Sequence, residues 1–305
     1  MGQRIAISGA SGFVGRALIA HLERSGHEVL RLVRGSASEP HGVRWQPDTG
    51  ELDGRALGAV DAVVHLAGEN VAGGRWTPAR RAAIAASRGP TTERLARSLA
   101  RLPVPPRTLI SASATGIYGD CGDARLDERT PPGQGFLAEV AQAWEAATQP
   151  AASAGIRVVH LRIGMVLDRS GGALARMLLP FQLGLGGRLG SGQQWVSWIH
   201  RQDLVAAIAF LLGQESLRGP VLAVAPEPVT NREFTRALGR ALRRPAVLPV
   251  PAFALRLLFG AMADELLLSS QRATPRALLT AGFQFAHPNL AEAFAAALAP
   301  GARTA

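Results

Sequence analysis

The chain lacks lysine and is nearly without tyrosine and cysteine. Among its 305 residues there is no lysine, and tyrosine and cysteine occur once each, as Tyr118 and Cys121. All 33 basic residues are therefore arginine, which excludes any mechanism that needs a tyrosine and a lysine on one helix. A single cysteine excludes an internal disulfide and fits a reducing compartment, and no cysteine and histidine cluster has the spacing of a zinc site.

Long apolar runs and clustered charges are also missing. No stretch reaches the length needed to cross a bilayer, and the glycines between Gly9 and Gly15 interrupt the only early apolar run, unlike a secretory signal. We therefore expect a cytoplasmic protein with no membrane partner. The formal charge of +10 could indicate nucleic-acid binding, but the arginines are dispersed among acidic residues and aromatic residues make up only 5%. A solvated arginine-rich surface, with no nucleic-acid partner, is the interpretation we adopt.

A glycine-rich turn lies close to the start of the sequence. A strand predicted over 5–8 runs into Gly9, Gly12 and Gly15, and an amphipathic helix is predicted over 15–25. In such a turn the first glycine permits a tight bend, the second lets the backbone approach a pyrophosphate, and the third lets the helix pack close to its strand. Unpaired N–H groups at the helix N-terminus then face the phosphates. The pattern predicts a dinucleotide site.

Strand-like runs alternate with helical segments along the chain. Further strands are predicted over 27–33, 43–45, 61–67, 107–111 and 157–162, and long helices over 78–101 and 136–153. This alternation predicts an α/β fold in which a doubly wound parallel sheet carries helices on both faces. We expect a dinucleotide-binding domain over 1–164, substrate-side segments interleaved with the sheet over 165–244, and a small helical domain over 245–305.

Two segments after Gly164 have a distinct composition. The glycine-rich stretch 184–192 is predicted to be a loop that closes over a ligand or, equally, a plain connector. The apolar stretch Leu255 to Leu268 is too short to span a bilayer, and we expect it to form a core helix.

The end of the second strand bears on the choice of cofactor. An acidic side chain there usually binds a free ribose 2'-hydroxyl, whereas an arginine binds a 2'-phosphate. Arg34 occupies this position, with no acidic residue at that strand end, so the predicted cofactor is NADP(H). The alternative is that Arg34 merely caps a strand in an arginine-rich protein.

Further motifs extend the pattern of the glycine turn. Together with it, Asp61-Ala-Val-Val-His65-Leu-Ala-Gly68 and Ser111-Ala-Ser113-Ala-Thr115-Gly-Ile-Tyr118-Gly119 resemble the extended short-chain dehydrogenase/reductases, the nucleotide-sugar epimerase superfamily with a Rossmann-like domain. Other segments resemble an atypical branch labelled epimerase family proteins, whose tail is a small C-terminal domain of unknown function. These segments are Gly68-Glu69-Asn70, Trp144-Glu145, 171–174, 192–200, 226–231, 265–268, 270–272 and 281–283.

The resemblance implies a set of cofactor-binding residues. The turn residues Gly9, Ser11, Gly12, Phe13 and Val14 would wrap the pyrophosphate, and Arg34 would bind the 2'-phosphate. Leu66, Ala67 and Gly68 would line the adenosine side of the cleft, while the backbone from Ser111 to Ser113 would pass beneath the nicotinamide ribose.

One departure from the family concerns its proton relay. Typical members place Tyr-x-x-x-Lys on the helix after the Ser/Thr strand, where the tyrosine transfers a proton and the lysine lowers its pKa and holds the ribose. Here that helix reads Phe136-Leu-Ala-Glu-Val-Ala141 and contains neither residue. A phenol with its ordinary pKa of about 10 is a poor base near neutral pH without a nearby cation. The usual relay cannot operate in this chain.

Three interpretations of the missing pair stay open. Tyr118 could be the acid or base, helped by Ser113 or Thr115 and an arginine, or it could be a buried aromatic with one hydrogen bond. Glu69 and His200 could form the ionisable pair, or they could be a helix N-terminal carboxylate and a structural histidine. In the third interpretation, the protein binds NADP(H) as a non-catalytic sensor or scaffold.

The sequence favours an NADP(H)-dependent oxidoreductase or epimerase that acts on a small polar or nucleotide-linked substrate. Arg162, Trp195 and Trp198 are candidates for the substrate wall, because aromatic faces and an arginine suit a sugar or an anion. The alternative is that the tryptophans pack in the core and that the arginine forms a structural ion pair. No metal is expected, and the choice between monomer and homodimer is open.

Overall fold

The computed structural model describes residues 2–35 and 41–299. Its strands are β1 (Arg4–Ser8), β2 (Glu28–Val33), β3 (Gly42–Gln46), β4 (Glu51–Leu52), β5 (Ala62–His65), β6 (Thr108–Ala114), β7 (Arg125–Leu126), β8 (Arg157–Ile163), β9 (Met165–Leu167), β10 (Trp195–Val196), β11 (Trp198–His200), β12 (Gly219–Ala223), β13 (Val229–Thr230) and β14 (Arg272–Ala273).

The α-helices are α1 (Phe13–Arg24), α2 (Gly54–Leu57), α3 (Pro78–Ala86), α4 (Gly89–Ala100), α5 (Phe136–Ala146), α6 (Gln149–Ser153), α7 (Gly172–Gln182), α8 (Arg201–Gly213), α9 (Asn231–Leu242), α10 (Ala252–Phe259), α11 (Arg276–Thr280) and α12 (Leu290–Leu298). A 3-10 helix covers Thr115–Tyr118, and a π-helical turn covers Ala263–Leu267.

The main sheet has the strand order β12-β8-β6-β5-β1-β2-β3-β4. Every neighbouring pair from β12 to β3 is parallel, and β4 alone is antiparallel to its neighbour. The order of connection reverses between β1 and β5, and ligands of open α/β sheets bind in the crevice outside the carboxyl ends at such a point. The predicted doubly wound parallel sheet is confirmed.

Alternate residues of each central strand feed two separate cores. Ile5 and Ile7 of β1 pack on one face of the sheet with apolar residues of α1 and α8, whereas Ala6 packs on the other face with residues of α4 and α6. Successive side chains of a strand point to opposite faces, so a strand covered on both sides must be apolar throughout. This explains the uninterrupted apolar run of β1.

The two long predicted helices are each broken into two. The segment 78–101 forms α3 and α4, and 136–153 forms α5 and α6. Pro90 and Pro150 lie in the first turn of the second helix of each pair, where a missing N–H costs nothing. The helical spacing of apolar residues continues across both breaks, so the sequence pattern did not reveal that the helices are interrupted.

The segments after Gly164 both rejoin the main sheet and build a third core. Strand β12 pairs with β8 in the main sheet, while β9 pairs with β11 and β10 pairs with β13. Trp198, Phe234 and Phe294 centre the third core, which α7, α9 and α12 cover. The division into three regions stays a prediction.

The expectation of a core helix from Leu255 to Leu268 is wrong. Helix α10 ends at Phe259, before Gly260 with a φ of +61°, and Leu257 and Leu258 are exposed. The glycine-rich loop 184–192 bonds to the chain before α10, because Gly186 O accepts from Leu248 N and Arg188 O accepts from Val250 N. No helix in the described ranges has the length and apolar character to cross a membrane.

A buried histidine joins three elements beneath the crevice. The Nδ1 atom of His65, at the end of β5, lies 2.5 Å from Ser8 Oγ of β1, and its Nε2 lies 3.0 Å from Thr92 Oγ1 of α4. Burial lowers the pKa of His65 from 6.5 to about 4, so the ring is neutral at physiological pH.

We expect truncation of Phe294 in the third core to lower the stability of the protein strongly, and truncation of Phe253 on α10 to have little effect. Phe294 is 1% exposed and packs edge-on against Phe234, whereas Phe253 on α10 is 72% exposed. Phe294→Ala should lower the free energy of unfolding by about 3–5 kcal/mol, and Phe253→Ala should change it by less than about 0.5 kcal/mol. Urea denaturation followed by circular dichroism measures both, and equal losses would contradict the assignment of α10 to the surface.

The buried histidine should make stability depend on pH. Between about pH 6.5 and pH 4, His65 is protonated in the unfolded chain but neutral in the folded chain. As the pH falls through this window, the free energy of unfolding should therefore fall by about 1.4 kcal/mol per pH unit. His65→Gln should reduce the slope by that amount, leaving the shares of His21, His160 and His200, whose pKa values burial also lowers. An unchanged slope in His65→Gln would refute the assignment.

Candidate functional site

The glycine turn, residues 9–15, lies where β1 ends at the crevice. Gly9 has a φ of +72°, and a Cβ there would lie 2.9 Å from the backbone nitrogen of Ala67. A Cβ on Gly15 would collide with the carbonyl oxygen of Gly9, and the N–H of Gly12 donates to that same oxygen at 3.0 Å. Side chains are excluded at these points because the backbone of α1 and of the β5 end comes too close.

The N-terminus of α1 opens from this turn without a capping side chain. Its N-cap is Gly12, no side chain accepts from its first N–H groups, and its first turn has no acidic residue. Ser11 and Gly12 are exposed beside it. A glycine cradle with free backbone donors fits a pyrophosphate, since those N–H groups and the helix dipole both favour an anion.

Two further parts of the sheet edge border the turn. Leu66 N donates to Ser8 O at 3.2 Å, and the backbone of Leu66 and Ala67 lies against Gly9. Arg34 is exposed directly after β2, the strand on the other side of β1. The predicted binding residues at the ends of β1, β2 and β5 therefore share one edge of the sheet.

Phe13 connects the turn to a second loop. A Cβ on Gly171 would collide with the Phe13 ring, and the Arg201 guanidinium lies 5.1 Å from the centre of that ring. Arg201 also pairs with Asp168 at 2.9 Å. Loop 168–172 is thus held against the first turn of α1 and forms another wall of the crevice.

A buried cluster around Glu145 contains three of the predicted site residues. Glu145 accepts two hydrogen bonds from Arg162, at 2.8 and 2.9 Å, and one from Ser113 Oγ at 2.7 Å. Arg162 also donates to the hydroxyl of Tyr118 at 2.9 Å, and that hydroxyl donates to Asp127 O at 2.9 Å. We call Ser113, Tyr118, Glu145 and Arg162 the Glu145 cluster.

The Glu145 cluster does not suit Tyr118 to proton transfer. Tyr118 is 1% exposed, and its proton and an acceptor lone pair of its oxygen are both engaged. Burial raises the pKa of Tyr118 to about 12, although Arg162 opposes the shift. The geometry favours the buried-aromatic alternative, and Arg162 acts as a structural ion pair.

The remaining serine and threonine candidates are also buried. Ser111 Oγ donates to Ala112 O at 3.4 Å, and Ser111 pairs with His65 across β6 and β5. Thr115 Oγ1 donates to Gln271 Oε1 at 3.1 Å, which joins the 3-10 helix to the C-terminal region. Both hydroxyls therefore already have hydrogen-bond partners within the protein.

Glu69 and His200 lie in different surroundings. Glu69 is 43% exposed and pairs with Arg80 at 2.8 Å, just beyond the end of β5. His200 is buried, accepts from Gln202 N through Nδ1 at 3.2 Å, and its ring centre lies 4.2 Å from that of His287. Burial lowers the pKa of His200 to about 4. No hydrogen bond or ion pair between described residues joins Glu69 to His200.

The predicted substrate wall is only partly at the surface. Trp198 is fully buried in the third core, and its indole N–H donates to Glu227 O at 3.0 Å. Trp195 is half-buried, its indole N–H donates to Asp123 at 2.9 Å, and Arg272 lies 4.0 Å above its ring. Burial argues against a wall role for Trp198 and Arg162, because neither side chain can reach a substrate without unpacking.

Sequence reasoning missed a pocket at the start of α5, which we call the α5 pocket. It is about 280 Å³ in volume and lies between the 3-10 helix, α5 and the C-terminal region. Glu265 lines it, and its Oε2 accepts from Leu137 N in the first turn of α5 at 2.7 Å. The other lining residues are Gly116, Gly119, Asp120, Gln134, Leu137, Ala138, Arg256, Asp264, Leu268 and Ser269.

Only the fold could reveal this pocket. Glu265 lies 128 residues from its partner Leu137, so no local spacing connects the two. The one signal in the sequence was the tail motif 265–268, which contributed to the family resemblance but had no function assigned to it. No group of three or more potential metal ligands occurs among the residues that the structure describes.

Known proteins resemble this chain over nearly its whole length. A model of the NAD dependent epimerase/dehydratase family matches residues 5–225, and a domain of unknown function, DUF1731, matches residues 250–297. An epimerase family protein of Mycobacterium tuberculosis is 48% identical, with 95% of each chain covered. These matches confirm the resemblance that the motifs indicated.

Two solved structures have similar folds and related sequences. The crystal structure of human epimerase family protein SDR39U1 (isoform 2) with NADPH has a TM-score of 0.89 at 35% identity, covering 96% of this chain and 98% of that one. A nucleoside-diphosphate sugar epimerase from Corynebacterium glutamicum has a TM-score of 0.82 at 36% identity, covering 98% of this chain and 58% of that one. The chain belongs to the NAD-dependent epimerase/dehydratase family, in the branch of epimerase family proteins that carry a C-terminal DUF1731 domain.

Proposed function

We propose that the protein is an NADP(H)-dependent oxidoreductase or epimerase that acts on a small polar substrate without the Tyr-x-x-x-Lys pair. The observation that carries this proposal is the glycine turn, whose backbone leaves room for a pyrophosphate but not for side chains. The human relative whose structure holds NADPH supports the same cofactor.

The cofactor site uses the edge of the sheet. Backbone donors of Ser11, Phe13 and Val14 bind the pyrophosphate at the uncapped end of α1, while Gly9 and Gly12 shape the turn, and Arg34 binds the 2'-phosphate. Leu66, Ala67 and Gly68 line the adenosine side, and the backbone from Ser111 to Ser113 supports the nicotinamide end. NADP(H), when bound, supplies the hydride donor or acceptor.

The α5 pocket is the proposed substrate site, and Glu265 the proposed proton-transfer residue. A general acid or base must lie within hydrogen-bond reach of the proton that it moves, and Glu265 lines the cavity beside the helix that carries the pair in typical members. Leu137 N holds one carboxylate oxygen, which orients the other. Glu69, the other carboxylate candidate, lies just beyond the end of β5 and pairs with Arg80.

A specific observation favours a second candidate function, a non-catalytic NADP(H) sensor or scaffold. The hydroxyl of Tyr118 is engaged on both sides, and His200 is buried with a lowered pKa. These contacts argue against Tyr118 and His200 as accessible acid-base groups. An enzymatic function therefore requires a carboxylate to act as the acid or base in place of Tyr118 and His200.

Location and partners follow the same proposal. A small-molecule substrate, a cytoplasmic location and the absence of nucleic-acid and membrane partners stay predictions. The choice between monomer and homodimer is open.

We expect the wild-type protein to bind NADPH more tightly than NADH, and Arg34 to account for the difference. Arg34→Ala removes a charged donor to the 2'-phosphate and should weaken NADPH binding by about 10- to 100-fold while leaving NADH binding unchanged. Arg24→Ala, at the far end of α1, should change neither affinity. Isothermal titration calorimetry measures the NADPH and NADH affinities of the wild type and of both variants. Tighter NADH binding by the wild type would overturn the cofactor assignment.

Turnover should depend on Glu265 and not on Tyr118. In a test of NADPH oxidation with carbonyl compounds and sugar nucleotides, Glu265→Gln should lower kcat by about 10²- to 10⁴-fold, while Glu139→Gln on the exposed face of α5 should leave it unchanged. Tyr118→Phe should retain turnover and lose about 1–3 kcal/mol of unfolding free energy, because the Arg162 donor and the Asp127 carbonyl acceptor each lose a partner.

Three outcomes of that assay would change the proposal. A loss of turnover in Glu69→Gln but not in Glu265→Gln would transfer the role to Glu69. A loss in Tyr118→Phe at full stability would restore the phenol as the acid or base. NADPH binding with no turnover on any substrate would favour the sensor.

A further inference from the structure

Arg88 occupies the break between α3 and α4 and faces the end of β5. It is the N-cap residue of α4, and the chain direction changes there before Gly89 and Pro90. Its Nη2 donates to Glu69 O at 2.9 Å, and its Nη1 donates to Ile84 O at 3.2 Å. Because of the break, the guanidinium of Arg88 extends from the helix layer to the residues that follow β5 at the crevice edge.

The guanidinium lies between the β5 end and α5. On one side, its carbon atom is 3.6 Å from the position that a Cβ of Gly68 would take. On the other side, it lies 4.9 Å from the centre of the Trp144 ring on α5. β5 and β6 are neighbours, with His65 opposite Ser111, so this cation at the β5 end lies one strand away from the Ser/Thr motif of β6 and next to the adenosine side that Gly68 lines.

The charge of Arg88 is partly removed from water and has no carboxylate hydrogen-bonded to it. Its hydrogen bonds go to carbonyl oxygens and to the Ser87 hydroxyl, while the carboxylate of Glu69 pairs with Arg80 instead. Burial lowers the pKa of Arg88 to about 10, with Glu69 opposing the shift, so the group stays charged at neutral pH. A cation held in a reduced dielectric binds a polar ligand more strongly than one in bulk water.

We propose that Arg88 replaces the cation of the missing lysine and binds the nicotinamide ribose of NADP(H). The inference rests on the proposed cofactor site. Vicinal hydroxyl oxygens of a ribose accept hydrogen bonds, and a planar guanidinium can donate to both at once. No described residue accepts from the Nε–H of Arg88, and Nη2 keeps a second N–H beyond its bond to Glu69 O; these two nitrogens lie 3.9 and 3.6 Å from the position that a Cβ of Gly68 would take. Trp144 and the Glu69 carbonyl fix the orientation of the fork.

A purely structural role makes a different prediction. If Arg88 only ties the loop after β5 to α3, it should behave like Arg80, which bonds to Glu69 and to Asn70 O in that same loop. Removing either arginine would then disturb the loop and lower the affinity for every ligand of the crevice by the same factor.

The test compares whole and truncated ligands by titration calorimetry. Arg88→Met keeps the length and the contact with Trp144 but removes the donors, and it should weaken NADPH binding by about 10- to 100-fold. The same variant should bind 2',5'-ADP as tightly as the wild type does, because that probe lacks the nicotinamide ribose. Arg88→Lys should recover most of the NADPH affinity, and the control Arg80→Met should lower both affinities by the same factor or neither.

Each other outcome identifies a different failure. Equal NADPH affinity in the wild type and Arg88→Met would overturn the inference, as would a parallel loss of 2',5'-ADP and NADPH affinity in Arg88→Met. No NADPH binding by the wild type would instead overturn the proposed function. Thermal denaturation of each variant without ligand measures any general loss of folding, and the ratio of the two affinities is independent of it.

Discussion

The close approach of β1 and β5 at their carboxyl ends is the constraint on which the crevice depends. Gly9 lies against the backbone of Leu66 and Ala67, and the α1 end closes on the same point through Gly15. Under it, His65 holds Ser8 and Thr92 with a neutral ring. Side chains cannot enter this contact, so the backbone donors of the turn remain directed at the crevice. The proposed binding of an anion there rests on steric exclusion as much as on attraction.

The Glu145 cluster illustrates how burial decides between functional and structural roles. Polar residues such as Tyr118 and Arg162 are conspicuous in a sequence because their chemistry is versatile. Once inside the protein, however, each must satisfy its charge or donors, and Glu145 and Asp127 O do so for both. A residue whose bonds are already complete has little left for a substrate. Glu69 lies just beyond the end of β5 and Arg88 at the N-cap of α4, whereas Glu265 lines the α5 pocket.

The fold and the position of the glycine turn were predictable because both depend on local patterns. The apolar run of β1, the glycine spacing and the helix that follows are contiguous, and buried parallel strands have few other readings. The breaks at Pro90 and Pro150 were missed since a proline in the first turn of a helix leaves the apolar spacing intact. The apolar stretch of α10 was taken for core because composition does not tell which face another element covers.

The sequence by itself determined the alternation of the main parallel strands with helices up to residue 162, the position of the glycine turn and the absence of the tyrosine and lysine pair. These depend on neighbouring residues and on what the chain does not contain. Only the tertiary structure decided that Tyr118, Arg162 and Trp198 are buried, that Glu265 reaches α5 across 128 residues, and that Arg88 lies between Gly68 and Trp144. Burial and long-range contacts are set by how distant segments pack, and no local spacing records that packing.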